Sequence, residues 1–344
     1  MPNASHVNGV ALENIGEVSG VEKGDIDNIY GLGFGTNYRS HTFTGSGNFT
    51  VTTGGSFDFL LVGGGGGGGG GFQGGVGFHG GSGGGGSGGV RVLTGVTIAA
   101  GTYSVAIGGQ GANGTADGQN AQGGDTYYQG TSPSVPIVRT NGGGRGGHVH
   151  ADEPPSNKNG GTGGSGGGAS TYGAAGYPDA TAGAGNEGGF SPVEGYAGGD
   201  AAYRTPWYYN NNTGAGGGGG GPGGVGGNGV APSQAWSGGT GGNGGAGITN
   251  NFRDGTDITY GGGGGGACRN GTNGAGGGQG HAGGGGSWNG SAWSAAPANT
   301  GGGGGAHQYT SNSGGSPGSG ILIFRYDDDS PISVSGGTQA TYTA

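Results

Sequence analysis

The chain has 344 residues, 110 of them glycine, and only 8% are charged. A formal net charge of −9 with ten Lys and Arg offers no basic stripe, which argues against nucleic acid and anionic membrane as partners. A single cysteine, Cys268, excludes an intramolecular disulfide framework, and no run of eighteen apolar residues is present to insert in a membrane.

Length suggests two or three units. Residues 7–32 carry an eleven-residue repeat: Val7, Val18 and Ile29 align, as do Gly9, Gly20 and Gly31, then Val10, Val21 and Leu32. Each unit reads as a short extended V-x-G-V piece followed by a polar turn and an apolar anchor. So small a repeat cannot close a core alone, so it is expected to stack against copies of itself or against a partner. Residues 1–37 are therefore read as an attachment module, and a symmetric homotrimer suits it.

Residues 38–62 alternate, with Phe43, Phe49 and Val51, then Phe57, Phe59 and Leu61, separated by glycine pairs. That period of two predicts antiparallel strands with one buried face. Further strands are expected at 90–93, 103–107, 126–128 and 137–140. The last strong strand, Ile321-Leu322-Ile323-Phe324-Arg325-Tyr326, lies far downstream and needs a sheet to join. It is expected to close the N-terminal β-domain, 38–140. That leaves 141–318 as one excursion and 327–344 as a tail. For the tail, two readings stand: a strand added to a neighbouring subunit, or a frayed end.

Nine consecutive glycines, 63–71, follow the apolar run 57–62, and similar tracts recur at 80–89, 141–147, 160–168, 214–229, 238–247, 261–266, 274–286 and 301–305. A tract without side chains cannot bury an apolar face. It either stays a flexible low-complexity chain or folds by backbone alone. The ordered alternative is a bundle of polyglycine II rods. These are threefold extended helices of about 3.1 Å rise per residue whose N–H and C=O groups pair only with neighbouring rods. Bulky residues rather than Ser, Glu and Lys punctuate the tracts, which favours the bundle. The fold class expected is thus all-β, an antiparallel β-domain with a large inserted polyglycine II bundle and little or no α-helix.

The order T-F-T-x-S-G-x-F-T-V, F-L-L-V before polyglycine, G-G-V-R-V-L, Y-S-V-A-I-G-G-Q-G and finally G-I-L-I-F-R-Y resembles the glycine-rich domain of tailed-bacteriophage tail-fibre and receptor-binding (adhesin) proteins, over roughly residues 40–326. The resemblance implies a polyglycine II sandwich that holds variable loops at a fibre tip against a bacterial surface receptor, a glycan or outer-membrane protein. It also implies a virion location and other tail or fibre proteins as partners, met through residues 7–32. It carries over no binding residue, because the loops are where the sequence departs. The first residues lack a secretory signal, so release within a virus particle is the expected route outward.

If each tract is one rod, alternation places the connections near 72–79, 148–159, 190–213, 248–260 and 287–299 at the end far from the sheet. Those near 169–182, 230–237 and 267–273 then lie beside it. The far set holds Phe72, Phe78, His79, His148, His150, Tyr203, Arg204, Trp207, Tyr208, Tyr209, Asn210, Phe252, Arg253, Asp254, Tyr260, Trp288 and Trp293. Aromatics and Arg beside amides provide rigid area and adaptable hydrogen bonds, as recognition surfaces do. Capping the exposed bundle end is the alternative role. His148 and His150 with Asp152 and Glu153 lack a fixed third and fourth metal ligand, and Asp327 to Asp329 cannot all face one ion, so no metal is expected. Cys268 and His281 make no nucleophile pair. Gly-x-Gly-x-x-Gly matches lack the helix and Lys of a phosphate loop, and no carboxylate pair sits in an apolar setting. No cofactor or catalysis is expected. The rival to adhesion is a structural virion or fibre subunit whose loops make subunit contacts.

Overall fold

The computed structural model describes short pieces of backbone between residues 6 and 33, and the chain from 36 to 344. Left out are 72–77, 115–119, 131–136, 150–157, 172–179, 204–211, 232–238, 269–270, 273, 278–293 and 308–314. All regular structure in these residues is β. The eleven-residue repeat forms three small antiparallel hairpins. They are β1 (His6–Val7) with β2 (Val10–Ala11), β3 (Glu17–Val18) with β4 (Val21–Glu22), and β5 (Asn28–Ile29) with β6 (Leu32–Gly33). Val7 pairs Val10, Val18 pairs Val21 and Ile29 pairs Leu32. The chain therefore reverses inside V-x-G-V, not after it, and x-Gly is a pair that two-residue hairpin connections favour.

Two five-stranded sheets follow. In chain order the strands are β7 (Asn37–Phe43), β8 (Gly47–Thr53), β9 (Gly55–Val62), β10 (Phe78–His79), β11 (Val90–Ile98), β12 (Gly101–Ala106), β13 (Thr126–Gly130), β14 (Val138–Thr140), β15 (Ala202–Tyr203), β16 (Asn212–Ala215), β17 (Ile248–Asn250), β18 (Ile258–Tyr260), β19 (Ile321–Asp327), β20 (Ser333–Ser335) and β21 (Thr338–Thr343). One sheet has the order β11-β9-β19-β7-β21 and the other β14-β13-β12-β8-β20. Phe43, Phe57, Phe59, Leu61, Leu322, Phe324 and Tyr326 of the first sheet meet Phe49, Val51, Tyr103, Val105 and Tyr128 of the second. Ring contacts join the two sets, Phe59 stacked on Tyr128 at 4.6 Å and Phe49 tilted against Phe324 at 4.8 Å. Each such side chain contributes on the order of 1.5–3 kcal/mol when fully buried.

The C-terminal strand joins the N-terminal β-domain as expected, but in the middle of a sheet, between β9 and β7, and neither sheet closes on itself. Its run and that of β9 are apolar at consecutive positions because both faces are covered. Leu60, Val62, Ile321 and Ile323 point away from the sandwich and pack under Phe252 and Tyr260 of the β17–β18 hairpin. The tail neither frays nor leaves the subunit: β21 pairs with β7, and β20 with β8.

The glycine tracts hydrogen-bond with a period of three, the mark of polyglycine II. Gly63, Gly66 and Gly69 donate to Gly89, Gly86 and Gly83; Gly64 and Gly67 donate to Gly124 and Ala121; Gly65 donates to Gly318. In return Gly111 and Gly114, Gly143 and Gly146, and Gly304 and His307 donate to rod 63–71. Every residue of the rod thus faces a different neighbour from the residue before it, and rods pack hexagonally. A middle layer runs 107–114, 63–71, 80–89, 214–221, 224–231. On one side lie 120–125, 141–149, 165–171 and 195–201, backed by 158–164 and 180–186. On the other lie 315–320, 301–307, 261–268 and 239–247, backed by 274–277. The central rods thus leave and re-enter the sandwich itself, so the sandwich and bundle are not consecutive domains divided at 141.

Approach is close enough that many positions have no room for a side chain. A Cβ at Gly66, Gly85 or Gly219 would overlap a neighbouring carbonyl. Rods enclosed on all sides are accordingly almost unbroken glycine. Rim rods instead show G-G-x, with Val225 and Asn228, or Thr240, Asn243 and Ala246, facing out. Several rim side chains turn back as acceptors for an adjacent rod: Asn159 Oδ1 for Thr181 N–H at 2.9 Å, Asp200 Oδ1 for Ala182 at 3.1 Å, Asn228 Oδ1 for Asp200 at 2.9 Å, and Asn243 Oδ1 for Ala275 at 2.8 Å. They satisfy donors that face out where no further rod lies.

Candidate recognition platform at the far end of the bundle

The rods define two ends. Gly63, Gly89, Asn141, Gly164, Gly221, Gly301 and Gly320 adjoin the sandwich, and Gly71, Gly80, Val149, Thr171, Ala215, Cys268 and His307 meet one another at the far end, about 25 Å away along a nine-residue rod. The described ends that flank 72–77, 115–119, 150–157, 172–179, 204–211, 232–238 and 308–314 all lie there, and each of those segments begins and finishes on one platform.

This differs from the alternation inferred from the tracts. Tract 160–168 is two rods, because the chain reverses between Thr162 and Ser165: Gly164 donates to Gly142 beside the sandwich, and Gly168 already pairs back with Gly84. Tract 214–229 also turns, at Pro222 and Gly223. Glycine reverses direction without a marker residue, so tract length overstates rod length. The connections after 171, 231 and 268 consequently start at the far end, not beside the sheet.

The segment 248–260 moves the other way. Phe252 and Arg253, expected at the far tip, sit on the sandwich with Asp254 and Tyr260. Phe252 is buried, its carbonyl accepts the Tyr342 hydroxyl at 3.0 Å, and the Arg253 carbonyl accepts from Ser40 Oγ at 2.5 Å. Residues 190–195, part of the expected far loop 190–213, also lie beside the sheet. There Glu194 is buried and accepts from the Thr140 hydroxyl at 2.7 Å and the Asn141 N–H at 2.9 Å. Residues 294–299, part of the expected far loop 287–299, reach the same end, next to Thr300, whose carbonyl accepts from Gly261.

Of the remaining candidates, His148 is at the far end but buried, beneath the surface expected for it. Phe78 and His79 are there as backbone, in β10, paired in parallel with Asn212 and Thr213 of β16, and Tyr203 is exposed on β15 alongside. Phe72, His150, Arg204, Trp207, Tyr208, Tyr209, Asn210, Trp288 and Trp293 lie outside the described residues, as does His281.

The floor of the platform is made of residues the sequence did not single out. Ser170 Oγ donates to the carbonyls of His148 (3.0 Å) and Lys158 (3.1 Å), Thr171 Oγ1 accepts from Gly81 N–H at 3.1 Å, Ser82 Oγ bonds the His307 carbonyl, and Asn120 Nδ2 reaches the carbonyls of Gly67 and Gly146. Burial sets the chemistry here. It pushes the Cys268 thiol up to about 11, lowers Lys158, and lowers His307 to about 4. At neutral pH the floor therefore holds an un-ionised thiol and a neutral imidazole. Among the described residues no group of three or more His, Cys, Asp or Glu could hold a metal ion, and no helix is long and apolar enough to cross a membrane.

The His307 shift gives stability a pH dependence of definite sign. An unfolded chain takes up the proton near 6.5 and the folded chain only near 4, so stability is complete above about 6.5 and falls on acidification through that window, by at most about 3 kcal/mol. Buried His41, also lowered by burial, adds to the loss, whereas Glu194, raised by burial, opposes it. The melting temperature is expected to drop between pH 7.5 and 5.0, and to drop less in His307→Gln.

A family model described as a glycine-rich domain matches residues 41–327, which takes in all described rods and both sheets apart from the last two strands and the start of β7. No curated protein matches the chain.

Proposed function

The chain belongs to the glycine-rich domain family, and from that premise we propose that it is a non-enzymatic fibre-tip adhesin of a tailed-phage virion. It grips a bacterial surface receptor, a glycan or an outer-membrane protein, through segments carried at the far end of the bundle. The observation that supports this reading is the convergence of so many segment ends on one platform, roughly 25 Å from the sandwich. A rigid scaffold with its variable segments gathered at one tip is the usual arrangement for recognition. Residues 204–211, which contain Arg204, Trp207, Tyr208, Tyr209 and Asn210, start and end there. Their aromatic faces suit the apolar side of a sugar ring, and their amides suit its hydroxyls.

The rival, a structural subunit, draws on the three N-terminal hairpins. Two-stranded hairpins are marginal alone, so residues 7–32 act as the attachment to other virion tail or fibre proteins, or to two further copies in a homotrimer. The test is binding of labelled protein to a panel of bacterial cells and a glycan array, before and after Trp207→Ala with Tyr208→Ala. The expected result is a folded variant whose binding falls at least tenfold. A folded variant that binds like the parent, or a parent that binds no cell or glycan, overturns the adhesin reading. Failure of the variant to assemble into particles favours the structural one.

A further inference from the structure

We propose that the outward side chains of the rim rods terminate the hexagonal lattice and keep two copies of the bundle from fusing along their sides. This rests on the packing alone and not on the adhesin reading. Rods 224–231 and 239–247 form one outer corner of the bundle. Gly226 and Gly229 donate to the carbonyls of Ala197 and Asp200, and Gly227 and Val230 to those of Asn243 and Thr240. Gly242 and Gly245 donate inward to Gly216 and Gly219. The N–H groups of Val225, Asn228, Asn243 and Ala246 donate to no backbone carbonyl among the described residues, and these four residues are exposed with Thr240 beside them. They are the donors that a further rod would take.

What prevents its arrival is visible one layer in. At Gly218, Gly219, Gly242 and Gly245 a Cβ would overlap the carbonyl of the adjoining rod, so at positions of this kind a Cβ and a docked rod exclude each other. Val225, Asn228, Thr240, Asn243 and Ala246 each present a Cβ to an incoming rod. Val225 is 64% exposed, an apolar side chain left in water at a position where glycine would offer a bare backbone. The face thus solves for polyglycine II the problem that inward charges and prolines solve for sheet edges. The occupant it excludes is the same face of a second copy, because that surface carries the same threefold backbone spacing.

The experiment strips the face: Val225, Asn228, Thr240, Asn243 and Ala246 are replaced together by glycine. A companion variant carries alanine at the first four, with Ala246 kept. It loses the same hydrogen bonds and apolar atoms but retains each Cβ. Sedimentation equilibrium of the full chain is expected to show at least a doubling of mass for the glycine variant relative to the parent, and the parent's mass for the alanine variant. A folded glycine variant with the parent's mass overturns the proposal, as does association of the alanine variant to the same extent. Should the fivefold glycine variant unfold, the triple variant Thr240→Gly, Asn243→Gly, Ala246→Gly is read by the same criteria. Unfolding of that variant too, with the alanine variant folded, also overturns it, since the side chains would then be holding the rods together and not closing the lattice.

Discussion

Gly85→Ala is expected to lower stability by at least about 3 kcal/mol, enough to unfold the bundle at moderate temperature. Gly85 lies in rod 80–89, which is enclosed by others; its N–H donates to Gly304 and its carbonyl accepts from Gly264. The added Cβ would overlap the Gly66 carbonyl and stand 2.8 Å from that carbonyl's carbon. The same carbonyl is the acceptor for Gly304, so moving it aside breaks a buried hydrogen bond worth about 1–3 kcal/mol to leave unmade. No flexible side chain can give way, since the neighbours are backbone. Gly109→Ala is the control: at the exposed edge rod a Cβ there meets nothing within 4 Å, and the change is expected to be neutral or to stabilise by about 0.5 kcal/mol through the unfolded chain. Urea denaturation of both variants measures the difference. Equal small effects would mean that the rods are not packed backbone to backbone.

Arg325→Ala is expected to cost about 3 kcal/mol and to release the 248–260 hairpin. Arg325 projects from β19, and its guanidinium lies 3.9 Å from the ring centres of both Tyr38 and Phe252. Its Nε donates to Asp58 at 3.1 Å and a terminal nitrogen to the Tyr342 hydroxyl at 3.2 Å, which itself donates to the Phe252 carbonyl. One side chain therefore links β7, β9, β21 and the hairpin that covers the outer face of the sheet. Removal leaves the half-buried Asp58 carboxylate without its ion pair and opens the apolar cluster of Leu60, Val62, Ile321 and Ile323 to water. Arg325→Lys is expected to recover little, because an ammonium cannot stack between two rings as a plane does. Amide exchange is the readout: Ile248 and Tyr260, whose residues pair across the hairpin, should lose protection before the rods do.

The strands of the sandwich were legible in the sequence because their side chains alternate. Phe43, Phe49, Phe57, Phe59 and Leu61 all fall on the buried face expected of them, and the run at 321–326 joins the N-terminal strands. The double apolar face at 60–62 was a signal of something covering the sheet from outside, but nothing in the sequence said that Phe252 and Tyr260 would supply it. Among the tracts, the contrast between unbroken glycine and G-G-x separates enclosed rods from rim rods, and it can be read directly from residues such as Val225, Asn228, Thr240 and Asn243. Turns within tracts could not be read, and the placement of Phe252 and Arg253 failed for that reason.

By itself the sequence determined that long stretches could become ordered only through main-chain hydrogen bonds, since a glycine run offers no other group to bury, and it determined which strands carry a buried face, through the alternation of their phenylalanines. Only the tertiary structure decided where each rod begins, turns and finds its neighbours. Bare backbone is the same at every residue, so a glycine tract carries no address, and its partners are chosen by the space the rest of the chain leaves.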